Sequence, residues 1–174
     1  MSILQSIQQR PAAMGNYRRG RKTHVDMIIL HVMEGGFGST GAWFANPEAH
    51  VSAHYGISVD GQIAQYVRDL DVAFHAGNPA YNDRSLGVEL EGHVSDPDAF
   101  TPMMMAATVS LCDLLCREWS IIRDRVHVIG HSEVPDPRNP MEHGGAGHHT
   151  DPGPFFPWDA FMSRLIAAGL QESA

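Results

Sequence analysis

The sequence predicts a single α/β domain in which helices flank a central mixed β-sheet. Three observations carry this. The apolar runs VDMIILHVM (25–33), SLGVELEG (85–92) and VHVIG (126–130) are short and bounded by turn residues. Strands buried on both faces have this character. The stretch HVSAHYGISVDGQIAQYV (50–67) alternates on either side of Asp60-Gly61, a strong two-residue hairpin signal. Apolar residues recur at helical spacing from Pro102 to about Ser120. Strands interleaved with helices, plus one hairpin, imply helices packed on the faces of a mixed sheet. At 174 residues the chain has the size of one domain, expected to span 1–174.

Taken in order, residues 1–23 are polar and broken by Pro11, Gly15 and Gly20, and read as an irregular lead-in to a core over 24–168. The first strand, 25–33, carries His31 near its end. EGGFGS (34–39) is expected to be a loop because glycine punctuates it. A short helix follows over Thr40–Asn46, with Ser39 or Thr40 as N-cap and Pro47 beyond its end. After the hairpin, 68–84 reads as loop. Strand 85–92 places Glu89 and Glu91 two apart, on one face. Thr101 is a good N-cap and Pro102 a good first residue for the longest helix. After the last strand, 126–130, a closing helix over about 158–168 is expected to bury Phe161, Leu165 and Ile166.

Composition narrows the partners. Hydrophobic residues make up 43% and charged residues 18%, with a formal net charge of -8. An acidic chain is a poor nucleic-acid binder, since that function favours a basic face. The basic run Arg18, Arg19, Arg21 and Lys22 reads as a solvated loop. Cys112 and Cys116 lie on one face of the long helix and read as small buried apolar residues, because an i, i+4 pair has poor disulfide geometry. No stretch approaches the roughly 20 apolar residues of a membrane span. The N-terminus lacks the basic-then-apolar pattern of a signal peptide, so cytoplasmic synthesis is expected.

The chemistry concentrates in His131–Trp158, HSEVPDPRNPMEHGGAGHHTDPGPFFPW. Proline excludes a long helix or central strand here. His131 follows the last strand, as His31 sits near the end of the first, and sites in such sheets form beyond strand ends. Asp151 stands in the rigid turn TDPGP. Two imidazoles and a carboxylate suit zinc, with a fourth position left for water. Taken singly, each has a plainer reading: core histidines, and a turn-forming aspartate. Glu89 is either a general base beside such a metal or, with Glu91, an edge-strand carboxylate facing solvent. His54 is a core or near-metal residue. His75 lines a substrate groove or is an exposed loop histidine. His143 and His148, in a Gly-rich segment, read as solvated.

VDMIILHVMEG, SAHYGISVDGQI, FHAGN, SLGVELEG and GHSEVPDP…HTDPGPFFPW, in that order, resemble the zinc-dependent N-acetylmuramoyl-L-alanine amidases. That family includes phage lysozyme-type amidases, muropeptide amidases and peptidoglycan recognition proteins. The resemblance covers about 24–168. It implies one zinc ion held by His31, His131 and Asp151, with Glu89 as the acid/base toward the attacking water. A tyrosine does related work in the phage lysozyme-type branch, but that position here is Ala53. The family often has a lysine two residues before the third ligand; this chain has His149, expected to support the oxyanion. His75 and Asn82 are expected to contact the muropeptide. Pro137–His148 reads as an insert, and Phe74 replaces a common tryptophan. The expected activity is hydrolysis of the lactyl–L-alanine amide of peptidoglycan by a monomer. Its expected setting is a phage or prophage endolysin released by a holin. The alternatives are a cytoplasmic recycling enzyme for muropeptides and a recognition module without activity.

Overall fold

The computed structural model describes residues 7–170. Residues 1–6 of the expected lead-in lie outside the described residues. Eight strands and four α-helices follow in chain order: β1 (Gln8–Gln9), β2 (Tyr17–Arg18), β3 (Met27–Val32), α1 (Phe37–Ala45), β4 (Tyr55–Ile57), β5 (Ile63–Gln65), β6 (Val72–Ala73), α2 (Pro79–Arg84), β7 (Ser85–Leu90), α3 (Pro102–Trp119), β8 (Val128–Gly130) and α4 (Trp158–Leu170). Six strands form one mixed sheet in the order β1-β5-β4-β7-β3-β8, and β2 pairs with β6 apart from it. β4, β7, β3 and β8 run parallel, whereas the β4–β5 hairpin is antiparallel. The expected α/β fold with a mixed central sheet is the observed one.

Alternation along the central strands divides the molecule into two faces. Ile28 and Leu30 of β3, and Leu86, Val88 and Leu90 of β7, join α3 and α4 in the main core. Met27 and Ile29 project to the other face, into a smaller cluster with Ala76, Ile129 and Val134. His31 and Glu89 share that second face, because their Cα atoms are paired across β3 and β7. The register continues to β4, where Gly56 is the partner of Glu89. The strands thus set a histidine, a carboxylate and a bare glycine in one row.

Several local expectations need correcting. The N-terminal segment is not wholly irregular, since β1 pairs with β5 and β2 with β6. Helix α1 starts at Phe37, three residues early, with Gly36 as its N-cap. The Phe37 N–H donates to Glu91 Oε1 at 2.9 Å, a cap from a residue remote in sequence. Residues 68–84 hold β6 and α2 as well as loop. Asn78 caps α2, accepting from the Ala80 N–H, and Pro79 follows as its first residue. Arg21 is not solvated: its guanidinium donates to the carbonyls of Asp69, Asp71, Asn82, Asp83 and Ser85. Burial lowers its pKa to about 10. The last strand begins only at Val128, because Asp124 Oδ1 accepts from the Val126 and His127 N–H groups in a turn. In α4, Phe161 and Leu165 are buried with Met162, but Ile166 is 45% exposed.

The long helix is as expected. Thr101 Oγ1 accepts from the Met104 N–H at 3.1 Å, and Cys112 and Cys116 are buried free thiols. The turn at Asp60-Gly61 joins β4 to β5, with Gly61 at φ +80°.

Candidate functional site

His31 lies near the end of β3. β8 ends at Gly130, and the turn His131–Glu133 carries His131 to the same end of the sheet. The Ser132 N–H donates to the Asp151 carbonyl at 2.8 Å, which brings the TDPGP turn beside His131. The Asp151-Pro152 peptide bond is cis. Residues 120 positions apart in sequence therefore meet at one point, and all three side chains are buried.

Their ligand atoms converge. His31 Nδ1 lies 3.1 Å from His131 Nδ1 and 3.3 Å from Asp151 Oδ2. His131 Nδ1 lies 3.2 Å from Asp151 Oδ1. Ligands about 2.0–2.1 Å from a tetrahedral ion stand roughly 3.3 Å from one another, so these separations fit a zinc-sized ion. Burial, then the neighbouring His131, lowers the His31 pKa to about 4, leaving a neutral imidazole. Burial opposes ionisation of Asp151. Polar contact with the His131 and His31 rings outweighs it and holds the carboxyl well below its usual range. A neutral imidazole and an ionised carboxylate are the forms that ligate metals.

A hydrogen-bond chain behind His31 fixes its tautomer. The Ser85 hydroxyl donates to the Tyr81 carbonyl at 2.6 Å, so Ser85 Oγ accepts from His75 Nε2–H at 3.3 Å. His75 Nδ1 then accepts from His31 Nε2–H at 3.0 Å. The lone pair of His31 is left on Nδ1, facing His131 and Asp151. The His75 ring reaches this place because it lies directly over Gly87, where a Cβ would stand 2.6 Å from it. The structure thus sets His75 behind His31, as well as on the cavity wall. Asn82 Oδ1 accepts from the His75 and Ala76 N–H groups, so its side chain braces the FHAG loop. Ser85 was missed in the sequence. Its only signal was a hydroxyl two residues before Gly87 on the strand that carries Glu89.

Glu89 comes from a central strand rather than an edge. Its Oε2 is buried with no partner, and burial followed by the charge of Asp151 raises its pKa to about 8. Glu91 has a different task, since its carboxylate accepts from the Phe37 and Val59 N–H groups. His54 is a core residue: Nδ1 accepts from the Gly87 N–H at 3.0 Å, and burial, then Arg21, lowers its pKa to about 3.

His149 stacks on His131 with ring centroids 4.3 Å apart. Burial, then His131, lowers its pKa. A cavity of about 800 Å³, open to solvent, lies over these groups. Beyond the residues already placed, Trp43, His50, Val51, Phe74 and Val94 line it. The segment 137–148 folds back on the FHAG loop, the Ala146 N–H donating to the Gly77 carbonyl at 3.0 Å. Its end supplies Gly147 and His148 to the cavity wall. His148 also approaches Asp136 and Glu142, at 3.5 and 3.6 Å.

Comparison with known proteins agrees with this geometry. The family model described as N-acetylmuramoyl-L-alanine amidase matches residues 20–154. N-acetylmuramoyl-L-alanine amidase A of Achromobacter lyticus is 32% identical over 176 residues, covering 91% of this chain and 93% of that protein. The 1,6-anhydro-N-acetylmuramyl-L-alanine amidase AmpD of Enterobacter cloacae is 31% identical, over 73% of this chain and 69% of its own. A crystal structure of an AmpD selenomethionine derivative superposes with a TM-score of 0.70 at 28% identity, covering 94% of each chain.

Proposed function

Because this chain belongs to the N-acetylmuramoyl-L-alanine amidase family, we propose that His31, His131 and Asp151 hold one zinc ion. Beside it, Glu89 drives hydrolysis of the amide between the lactyl group of N-acetylmuramic acid and L-alanine. The observation that carries this reading is the row set by strand register: Glu89 paired with His31, on the face where the three ligand atoms converge. The ion, when bound, supplies Lewis acidity to the scissile carbonyl and to the attacking water.

The side chains do the rest. Glu89 takes a proton from the attacking water and returns it to the departing α-amine of L-alanine. A carboxyl raised to about 8 sits close to the pH at which such an exchange is most efficient. His149, held against His131, donates an N–H to the oxyanion that develops on the carbonyl oxygen. As its pKa is lowered, it does so as a neutral imidazole. The chain Ser85–His75 keeps His31 oriented. The cavity takes the muramyl sugar and the stem peptide, with His75 and Asn82 shaping its floor.

The groove is open to solvent, and this supports a polymeric substrate such as the wall, as for an endolysin acting after holin-type release. The relatives named as 1,6-anhydro-N-acetylmuramyl-L-alanine amidases support a second setting, recycling of soluble muropeptides in the cytoplasm. A recognition module without activity is disfavoured by the complete ligand set. Digestion of purified sacculi and of soluble anhydro-muropeptides tests both points. Amidase activity releases new L-alanine amines with no new reducing ends, and reducing ends alone would refute it. Faster turnover of sacculi supports the endolysin setting, and turnover of the soluble species alone supports recycling.

A further inference from the structure

Three buried side-chain polar atoms among the described residues have no partner; His131 Nε2 is one of them, and the other two lie at the row set by strand register. These two are Glu89 Oε2 and the Tyr66 hydroxyl. Gly56 is the cross-strand partner of Glu89, so a side chain at 56 would project on the same face as Glu89. Tyr66 occupies that place. A Cβ on Gly56 would stand 2.5 Å from the Tyr66 hydroxyl and 2.8 Å from its ring. Adjacent strands lie about 4.8 Å apart, so the phenol lies over the strand next to the one that carries Glu89. The ring is fixed by Phe44, with centroids 5.2 Å apart, and by Gly41, whose Cβ position is 3.3 Å from it.

Packing alone does not explain a tyrosine here. Phenylalanine would fill the same space, and a buried hydroxyl without a partner is destabilising. Tyr66 is 3% exposed and is not among the residues lining the cavity. It stands behind Glu89 rather than beside substrate.

We propose that Tyr66 is a positioning residue for Glu89: its hydroxyl donates to Glu89 Oε2, directly or through one water, and turns the other carboxylate oxygen toward the reacting water. The hydrogen bond strengthens as Glu89 becomes ionised, because a charged acceptor binds a donor more strongly. Gly56 is the residue that gives the phenol its place.

This inference rests on the role given to Glu89 above. The test is Tyr66→Phe beside wild type and Glu89→Gln, assayed on a soluble N-acetylmuramyl-L-alanyl peptide. Zinc affinity and Tm are measured on each. Tyr66→Phe is expected to lower kcat about tenfold or more, with KM and zinc affinity within twofold and Tm unchanged or raised. Fluorinated tyrosines at position 66, close to tyrosine in volume, are expected to change kcat in step with phenol acidity. A kcat within twofold of wild type, a loss that follows Tm or zinc content, or a flat fluorotyrosine series overturns the proposal. If wild type turns over and Glu89→Gln does not, such a result removes only Tyr66. If Glu89→Gln keeps full activity, the reading of the site falls and takes this inference with it.

Discussion

Glu89 titrates where a carboxyl ordinarily does not, and this has a consequence for stability as well as catalysis. Its pKa rises from 4.5 unfolded to about 8 folded, through burial and then the charge of Asp151. The folded state therefore holds a proton that the unfolded state releases. The associated stability is fully present below pH 4.5 and is lost as pH rises through about 8. Metal-free Glu89→Gln has no such loss. Its Tm is expected to gain on wild type by several degrees between pH 4.5 and 8 and to hold that lead above. Thermal unfolding in chelator at stepped pH measures this, and a constant difference would contradict it. His149 provides a second residue-scale prediction. His149→Ala is expected to lower kcat about 10²-fold, as loss of one oxyanion donor does, while His149→Lys keeps most of it. Equal activity of all three proteins in steady-state assays would remove the role. His31, His131 and Asp151 were legible because each stands at a strand end or in a proline-fixed turn. Ser85 and Tyr66 were not, since their meaning comes from what register and packing place beside them.

At the scale of elements, Glu91 links three pieces of the chain. Its carboxylate accepts from the Phe37 N–H, at the start of α1, and from the Val59 N–H in the hairpin turn. Glu91→Ala leaves both donors unpaired and is expected to cost about 1–2 kcal/mol. That corresponds to a Tm lower by roughly 2–8 °C, with kcat unchanged. Calorimetry and steady-state kinetics on one preparation check it, and an unchanged Tm would show that solvent replaces the cap. The same contact explains why the start of α1 was misread. GGFG argues for a loop locally, and a carboxylate 54 residues away outweighs it. Helix α3 was read correctly because its cap, Thr101, is adjacent in sequence. Helix α2 had a local signal too, Asn78-Pro79, but six residues carry too little periodicity to stand out.

Across the whole molecule, the sheet separates tasks. One face, with α3 and α4, holds the main apolar core. The other holds His31, Glu89 and His75, buried polar groups around which the cavity opens, with His54 in the core behind them. That strands 25–33 and 85–92 are buried on both faces was legible from their near-continuous apolar runs, whereas which side chains share the face of the site was set by their register. The path of 137–148 was not legible, because glycine and proline permit many routes and its anchors are backbone contacts such as that of Ala146 with Gly77. His31, His131 and Asp151 are proposed to form one zinc site. Native mass spectrometry of the wild-type protein and Asp151→Ala, titrated with zinc, tests this most directly. One zinc per wild-type chain is predicted, with that ion lost from Asp151→Ala at the same free zinc. Equal zinc occupancy in the two proteins would contradict it.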